Sequence, residues 1–452
     1  MNERQTNAPP PGKANAVLRS LQMERDETRR VGWSFLYFFS LLCGYYILRP
    51  LREEMAIRAG VEQLHWLFTA TFVVTLVLVP LFALLVSRVP RRIFLPVVYG
   101  FVISSLAVFF VGFVIAPHSV GLARGFYVWV SVFNLFAVSV FWSFMADLYE
   151  PRQAKRLFGL IAAGGTAGAI AGPALTASLV TAAGTTGLLP ISAAFLAVAL
   201  VCIRRLLALA PQRPRKEEQT SSLSQVFGGS MLAGFRMLMT SRYLQGICLL
   251  ILLYSSASTF LYFTQAHIIS ASIADSDERT RIFALIDLAV NVLTIGTQMF
   301  ATSRIAERAG VGVTLSLIPA LLAAGFLLLG IAPVLPVLIG VQVLRRAGNY
   351  AVMKPAREML FTVLTPVEKY KAKNLIDTVV YRGGDALSAW LYAGMRGLGL
   401  DVGTLAFASV PLCLLWMVTG LRLGRAFTAR QRLDRHNPHT ASTADNGLRS
   451  QT

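Results

Sequence analysis

Twelve predominantly apolar stretches succeed one another along the chain, at roughly 31–50, 64–86, 93–115, 125–146, 157–183, 187–208, 242–264, 282–303, 312–331, 334–353, 374–395 and 402–424. Each has about the 20 residues a helix needs to cross the hydrocarbon core of a bilayer. The runs are continuous and show no alternation of the kind a β-barrel strand carries. The pattern predicts an all-α polytopic membrane protein with twelve transmembrane helices in two six-helix halves.

Polar punctuation sets the organisation. Residues 1–30 form a polar tail with no apolar core, so the first apolar run is expected to be a retained anchor and not a cleaved leader. A six-helix half over 31–208 is followed by a basic, polar linker at 209–241, of which Val226 to Thr240 reads as an amphipathic surface helix. A second half covers 242–424, and 425–452 is a short basic tail. When each Lys and Arg is assigned to its nearest connection or tail, 32 of the 42 lie on the side of the two termini and 7 on the other, while Arg345, Arg346 and Arg382 fall inside spans. Such a bias orients both termini to the cytoplasm. The chain is expected in a cell (inner) membrane, its basic face against anionic lipid. That face accounts for the net charge of +19 without a nucleic-acid partner. Hydrophobic residues make up 55% of the chain and charged ones 14%, against about 25% charge in soluble domains. The four cysteines, Cys43, Cys202, Cys248 and Cys413, are scattered through apolar runs and make neither a disulfide framework nor a metal site. No cofactor is expected.

Charges inside apolar runs are costly and therefore informative: an Asp or Arg at the centre of a span costs about 3 kcal/mol on insertion scales unless it is paired or wet. Span 8 puts Asp287, Asn291, Thr294 and Gln298 on one helical stripe, which reads as a cavity wall or as interhelical hydrogen bonding. Span 10 carries Gln342, Arg345, Arg346 and Asn349. A planar guanidinium fork suits carboxylate and phosphate, and one of the two arginines could instead pair with Asp287 or Asp385. Span 11 carries Asp377, Tyr381, Arg382 and Asp385; Arg382 and Asp385 are spaced to pair, and Asp377, Tyr381 and Asp385 share a face. At the end of span 1, Tyr45, Tyr46, Arg49, Arg52, Glu53 and Glu54 cluster at the outer mouth, where they either draw anions inward or anchor a helix end at the headgroups. The turn after span 4 carries Lys155 and Arg156. Span 5 repeats Gly164, Gly168 and Gly172 every fourth residue before Pro173, a stripe for close helix approach, for a hinge, or for both.

Residues 354–385 concentrate these features. Lys354, Arg357, Glu358, Lys369, Lys371 and Lys373 precede Asp377, Arg382 and Asp385, so the stretch reads as a cytoplasmic gate running into the floor of an anion cavity. There is no Walker loop, no HExxH and no segment long enough for a nucleotide-hydrolysing domain. The chain is therefore expected to be a secondary carrier and not an enzyme. It is expected to be a monomer working on a small anionic substrate, with Arg49, Arg52, Arg345, Arg346, Arg382, Tyr45 and Asn349 as substrate contacts. Asp287, Asn291, Asp377, Asp385, Glu53, Lys155, Arg156, Arg357 and Glu358 are expected to gate or couple. Two other readings stand beside it: a proton-coupled efflux carrier for a lipophilic compound, which the aromatic spans 1 and 4 suit, and a carrier-like receptor or scaffold that no longer transports.

Two six-span halves with a short basic turn after span 2 (SRVPRR) and after span 8 (SRIAERAG) resemble the major facilitator layout. Within it, several segments resemble the bacterial and plastid ATP/ADP translocase family. YYILRPLREEMAI is similar to that family's ILR-x-x-KD segment, with Arg49, Arg52 and Glu53 on its charged positions. FWSFMADLYEPRQAKRLFG resembles its span-4 exit, with Lys155 and Arg156 on its Lys-Arg. KPAREMLF and KYKAKNLIDTVVYRGG are similar to its DPTKEMAY and KVKGKAAIDVV-x-R-x-G, carrying over Arg357, Glu358, Lys371, Lys373, Asp377, Arg382 and Gly383. The chain departs from the family where Tyr262 replaces its Glu, Ala266 its Lys, and Gly384-Asp385 its Gly-Lys. The resemblance thus implies a twelve-span exchange carrier, and the departures widen the expected substrate from a nucleotide to an organic anion, phosphorylated ones included.

Overall fold

The structure, a computed structural model, describes residues 25–209, 231–300 and 302–436. Its first three helices are α1 (Arg25–Arg58), α2 (Leu64–Arg88) and α3 (Arg91–Ile115). After them come α4 (Val120–Leu148) and α5 (Pro151–Leu209), which turns over at Gly184. At 59 residues α5 would run about 89 Å if straight, so it supplies two crossings, spans 5 and 6. Gly184 makes that turn with φ 69°, a left-handed conformation that a side chain disfavours. The short α6 (Met231–Thr240) covers the second part of the amphipathic segment read from the sequence; Val226 to Ser230 lie outside the described residues. Next are α7 (Arg242–Ser272), α8 (Ser276–Phe300) and α9 (Thr302–Ile331).

Spans 10 and 11 are built in pieces. Helix α10 (Leu335–Gly348) passes through a π-helical turn, Asn349–Met353, into α11 (Lys354–Met359). Helix α12 (Pro366–Leu375) passes through a second π turn, Ile376–Val380, into α13 (Tyr381–Gly397). The first π turn has a local cause. Pro355 has no N–H and its ring would strike the carbonyl four residues back, and widening the helix by one residue relieves both. The start of α12 is also written locally: Thr365 and Glu368 form a reciprocal capping box around Pro366 at the first turn. Helix α14 (Val402–His436) closes the chain; Asp401 caps it by accepting from the Thr404 hydroxyl and the N–H groups of Gly403 and Thr404, which holds its carboxyl below the usual range. Among the described residues nine helices are long and apolar enough to cross a membrane, α5 doing so twice. The interrupted spans 10 and 11 complete the twelve crossings. Helix α1 already begins at Arg25 and α14 runs on to His436, so both outer helices extend beyond the apolar runs that mark them.

Two apolar clusters form the interior. One lies wholly within residues 31–206; the other draws mainly on α7 to α14, with Ala56, Ala59, Leu64, Leu67 and Tyr127 joining it from the first six spans. The strongest single pairing is α1 against α5, where the Gly164–Gly168–Gly172 stripe presses directly on backbone. A Cβ on Gly164 would stand 2.5 Å from the carbonyl oxygen of Phe35, and one on Gly172 2.7 Å from that of Cys43. A Cβ on Gly168 would strike the carbonyl oxygen of Phe39. Pro173 is buried at the end of the stripe. Close packing is thus what these glycines do in this structure. Gly168→Ala must push α1 and α5 apart, and overpacking of this kind costs about 1–3 kcal/mol. Thermal unfolding of the purified protein should show that loss, with no comparable shift for Gly159→Ala, where a Cβ meets nothing within 4 Å.

Candidate functional site

Helices α2 and α13 pack together, as do α5 and α8, so the two groups of six spans meet along two seams. Between them lies a cavity of about 240 Å³. Residues from α1, α2, α4, α7, α8, α10 and α13 line it, together with Asn349 and Tyr350 of the first π turn. Arg49, Arg52, Glu53, Asp287, Arg345, Arg346, Asn349, Arg382 and Asp385 all reach it, so the candidates from spans 1, 8, 10 and 11 converge on one site.

The charges are wired in a definite way. Asp287 on α8, 2% exposed, accepts from Arg346 Nη2 of α10 at 2.5 Å, while its other oxygen lies 3.6 Å from Arg49 Nε of α1. One carboxylate thus serves two guanidiniums from two helices, one in each group of spans. Arg52 pairs with its neighbour Glu53 and lies 5.5 Å from the centre of the Tyr127 ring. Asp385 accepts from Ser255 at 2.5 Å and lies 3.9 Å from Arg382. Arg345 differs from the others. Its Nε and Nη2 donate to Gln342 Oε1 at 3.1 and 2.9 Å and its Nη1 donates to Ser258 at 2.8 Å, with Gln342 in turn donating to Gln265. The non-polar part of the wall is aromatic, including Phe68, Phe72, Phe283 and Tyr262.

Other residues singled out in the sequence lie elsewhere. Tyr45 is buried against Tyr46 and Phe133 and is not on the cavity wall. Asn291 donates to the carbonyl of Ala169 on α5 at 2.5 Å, Thr294 bonds back to Val290, and Gln298 to the carbonyl of Tyr350. The polar stripe of α8 is therefore a cavity wall only at Asp287 and a helix-bonding seam below it. Asp377 is exposed and off the cavity, although regular helical spacing puts it on the face of Tyr381 and Asp385. The π turn Ile376–Val380 lies between them, and an extra residue per turn rotates the downstream helix by about 100°. Lys155 is exposed beside Arg156, which binds Glu27 at 2.6 Å. Glu358 on α11 binds Lys373 on α12 at 2.5 Å, and Arg357 and Lys354 share α11 with it. Lys369 and Lys371 lie on α12. Tyr262 lines the cavity; Ala266, one turn on, is buried off it.

The outer-mouth reading of span 1 needs correction. Helix α1 continues through Pro50 to Arg58, so Arg49, Arg52 and Glu53 lie inside the protein and the true helix-end cluster is further on. Its centre is Glu54, fully buried, which accepts from Arg58 at 3.1 Å, from Ser276 at 2.8 Å and from two nitrogens of Arg279 at 2.7 Å each. Beside it Asp277 accepts from the Thr185 N–H at 2.8 Å and hydroxyl at 2.5 Å. Glu62 meets His267 at 3.2 Å and Arg396 at 3.4 Å, and Trp390 donates to Thr69 at 2.9 Å. All of these bonds except Arg58–Glu54 join the first six spans to the last six, and all lie at the end of the bundle remote from Arg25. The ion pairs described near the other end, Arg156–Glu27 and Lys373–Glu358, each stay within one group. The remote end is thereby closed between the two groups. The sequence placed Glu54 in a charged cluster, but nothing in local spacing marks Arg279 or Ser276 as its partners. Gln265 and Ser258 carried no signal beyond being polar in an apolar run.

A twelve-span helical bundle with two packed groups and a charged cavity between them defines a multi-pass membrane transporter. The sequence profile of the Major Facilitator Superfamily matches residues 34–384, and the chain belongs to that superfamily. It is a secondary transporter of this type. No curated protein sequence matches it. Among solved structures, the POT family transporter PepTSo is similar with a TM-score of 0.61 at 13% identity, over 89% of this chain and 98% of that one. The nucleoside transporter NupG is similar with a TM-score of 0.55 at 13% identity, over 89% and 99%. A bacterial homolog of the human lysosomal transporter Spinster, inward-facing and unoccupied, is similar with a TM-score of 0.55 at 12% identity, over 90% and 98%. At these identities the likeness concerns the fold.

Proposed function

We propose that the protein carries an organic anion, phosphorylated ones included, by alternating access of two six-span units, 31–208 and 242–424. The observation that carries the proposal is the gathering of five arginines from α1, α10 and α13 on one cavity of about 240 Å³. A guanidinium is retained at membrane depth only with a partner or a task, and its fork matches carboxylate and phosphate oxygens. The segment resemblance to nucleotide exchange carriers, through Arg49, Arg52, Glu53 and Arg382, agrees with an anion; Tyr262 and Asp385 in the cavity argue for a substrate smaller in charge than a nucleotide triphosphate. An efflux carrier for a lipophilic compound leaves Arg345, which has only neutral partners, and the surplus of arginine over carboxylate in the cavity without a role. Arg357, Glu358, Lys373 and Asp377, together with Lys155 and Arg156 at the same end of the bundle as Arg25, act in this reading as the inner gate. The basic loops keep that end and both termini at the cytoplasmic face of a bacterial inner membrane, against anionic lipid, and the carrier works as a monomer.

The test is uptake by the purified protein in liposomes. Labelled nucleotides, sugar phosphates and dicarboxylates are offered with and without unlabelled anion inside. At least one should enter by counter-exchange or with a proton gradient, and Arg382→Gln should cut that uptake at least tenfold. Absence of uptake for every nucleotide, phosphate ester and carboxylate, with and without a gradient, overturns anion transport.

A further inference from the structure

Arg49 and Arg346 share Asp287, Arg52 has Glu53, and Arg382 has Asp385. Arg345 has no carboxylate within 4.0 Å among the described residues; its partners are the neutral side chains of Gln342 and Ser258. That arrangement is built. Gln342 is 2% exposed and Gln265, which accepts from it, 5% exposed, so the amide that holds Arg345 is itself held. The cavity wall as a whole has two more guanidiniums than carboxylates. The excess is localised: one positive charge is at Arg345, and one is at the Arg49–Asp287–Arg346 group, where two guanidiniums divide one carboxylate. Arg345 and Arg346 are consecutive on α10 and both reach the cavity. Of the five N–H donors of a guanidinium, Arg345 spends three on Gln342 and Ser258, which leaves one on each Nη nitrogen for a ligand oxygen.

We propose that the substrate is a dianion and that Arg345 is the specificity-determining residue that demands its second charge. The inference rests on the anion-carrier reading above. A monoanion compensates only one of the two excess charges and leaves the other guanidinium, partly buried in the cavity wall, without a counterion, which is the costlier outcome. A dianion leaves neither unpaired. Both charges can be on one phosphoryl group or on two carboxylates, and the recognition chemistry is the same. Gln342 and Gln265 are positioning residues: they fix the guanidinium without neutralising it. Gln342→Glu puts a carboxylate where the amide oxygen now accepts from Arg345, and the Gln265 amide turns to donate to the oxygen that replaces the Gln342 nitrogen.

The experiment compares near-isosteric pairs by calorimetric binding to the full-length protein in lipid nanodiscs at pH 7.5. Phenyl phosphate is set against methyl phenyl phosphate, and succinate against monomethyl succinate, so that each pair differs mainly by one negative charge. The dianion of at least one pair should bind at least ten times more tightly than its monoester. A preference in the phosphate pair alone assigns the site to phosphoryl groups, and one in the succinate pair alone to dicarboxylates. Gln342→Glu should bring the ratio close to one while the monoester still binds. Arg345→Gln should do the same, and Arg345→Lys should keep part of the preference. Equal binding within both pairs, or an unchanged ratio in Gln342→Glu protein that elutes as a single species, overturns the dianion assignment and leaves anion transport standing. If none of the four probes binds, the dianion assignment also fails, and the liposome uptake assay decides anion transport separately.

Discussion

Asp287→Asn is expected to lower transport by about 100-fold or more and to destabilise the protein measurably. The carboxylate is 2% exposed and has Arg346 at 2.5 Å and Arg49 at 3.6 Å. Removing its charge leaves two guanidiniums facing each other, and stripping one partner from a buried ion pair costs about 3–5 kcal/mol. The asparagine keeps the shape and one acceptor oxygen, so the loss reports charge and not volume. The double variant Asp287→Asn with Arg346→Gln should recover part of the stability, because one of the two stranded charges is gone. A coupling energy of about 1–3 kcal/mol between the two sites is the expected reading of that cycle. Transport should not recover with it, since Arg346 also faces the cavity. Uptake within threefold of the parent protein, with an unchanged melting temperature, would show that Asp287 is not the charge hub the geometry makes it.

Glu54→Gln should open the remote end. Glu54 is fully buried, and Ser276 and Arg279 of α8 bind it across the seam between the two groups of spans. Its partner Arg58 donates a further bond, 2.5 Å long, to Ser276. A neutral amide cannot accept all of these bonds and removes the ionic part of the lock, again about 3–5 kcal/mol. Inverting a 99:1 population takes about 5.5 kcal/mol, so one substitution moves most of the way. Phe283 lines the cavity on α8, and a cysteine introduced there reads the opening directly. In a background with the four buried native cysteines replaced, thiol labelling of Phe283→Cys from the far face should rise at least tenfold when Glu54→Gln is added. Labelling that stays the same, or that rises only from the opposite face, removes Glu54 from the gate.

The residues that build the cavity were largely visible before the fold was. Arg345, Arg346, Arg382, Asp287 and Asp385 are conspicuous because a charge inside an apolar run is expensive wherever the run ends up. The misplacements share one cause. The positions of Asp377 and Tyr45 depend on how far each helix is turned and how deep it sits, which ideal helical spacing and neighbourhood do not give. A π turn moved Asp377 away from the face of Tyr381 and Asp385. Tyr45 lies in the interior of the first apolar cluster, while the bond of Asn291 to α5 is the interhelical alternative that its stripe left open. The charged cluster of span 1 sits deeper than its local pattern implies for a related reason: that pattern does not say how far α1 continues past Pro50.

By itself the sequence determined the class of the protein: twelve crossings, all helical, with a surplus of arginine at membrane depth. These are local properties, since a run of apolar residues must span and a buried charge must be accounted for whatever its neighbours are. The tertiary structure alone decided the wiring: that Arg49 and Arg346 divide one carboxylate, that Glu54 locks to Arg279, and that Arg345 is held by amides with no counterion of its own. Pairing across helices depends on rotation and depth. Those are fixed by the contact of α1 with the glycine stripe of α5 and by the π turn after Gly348, and neither can be read one segment at a time.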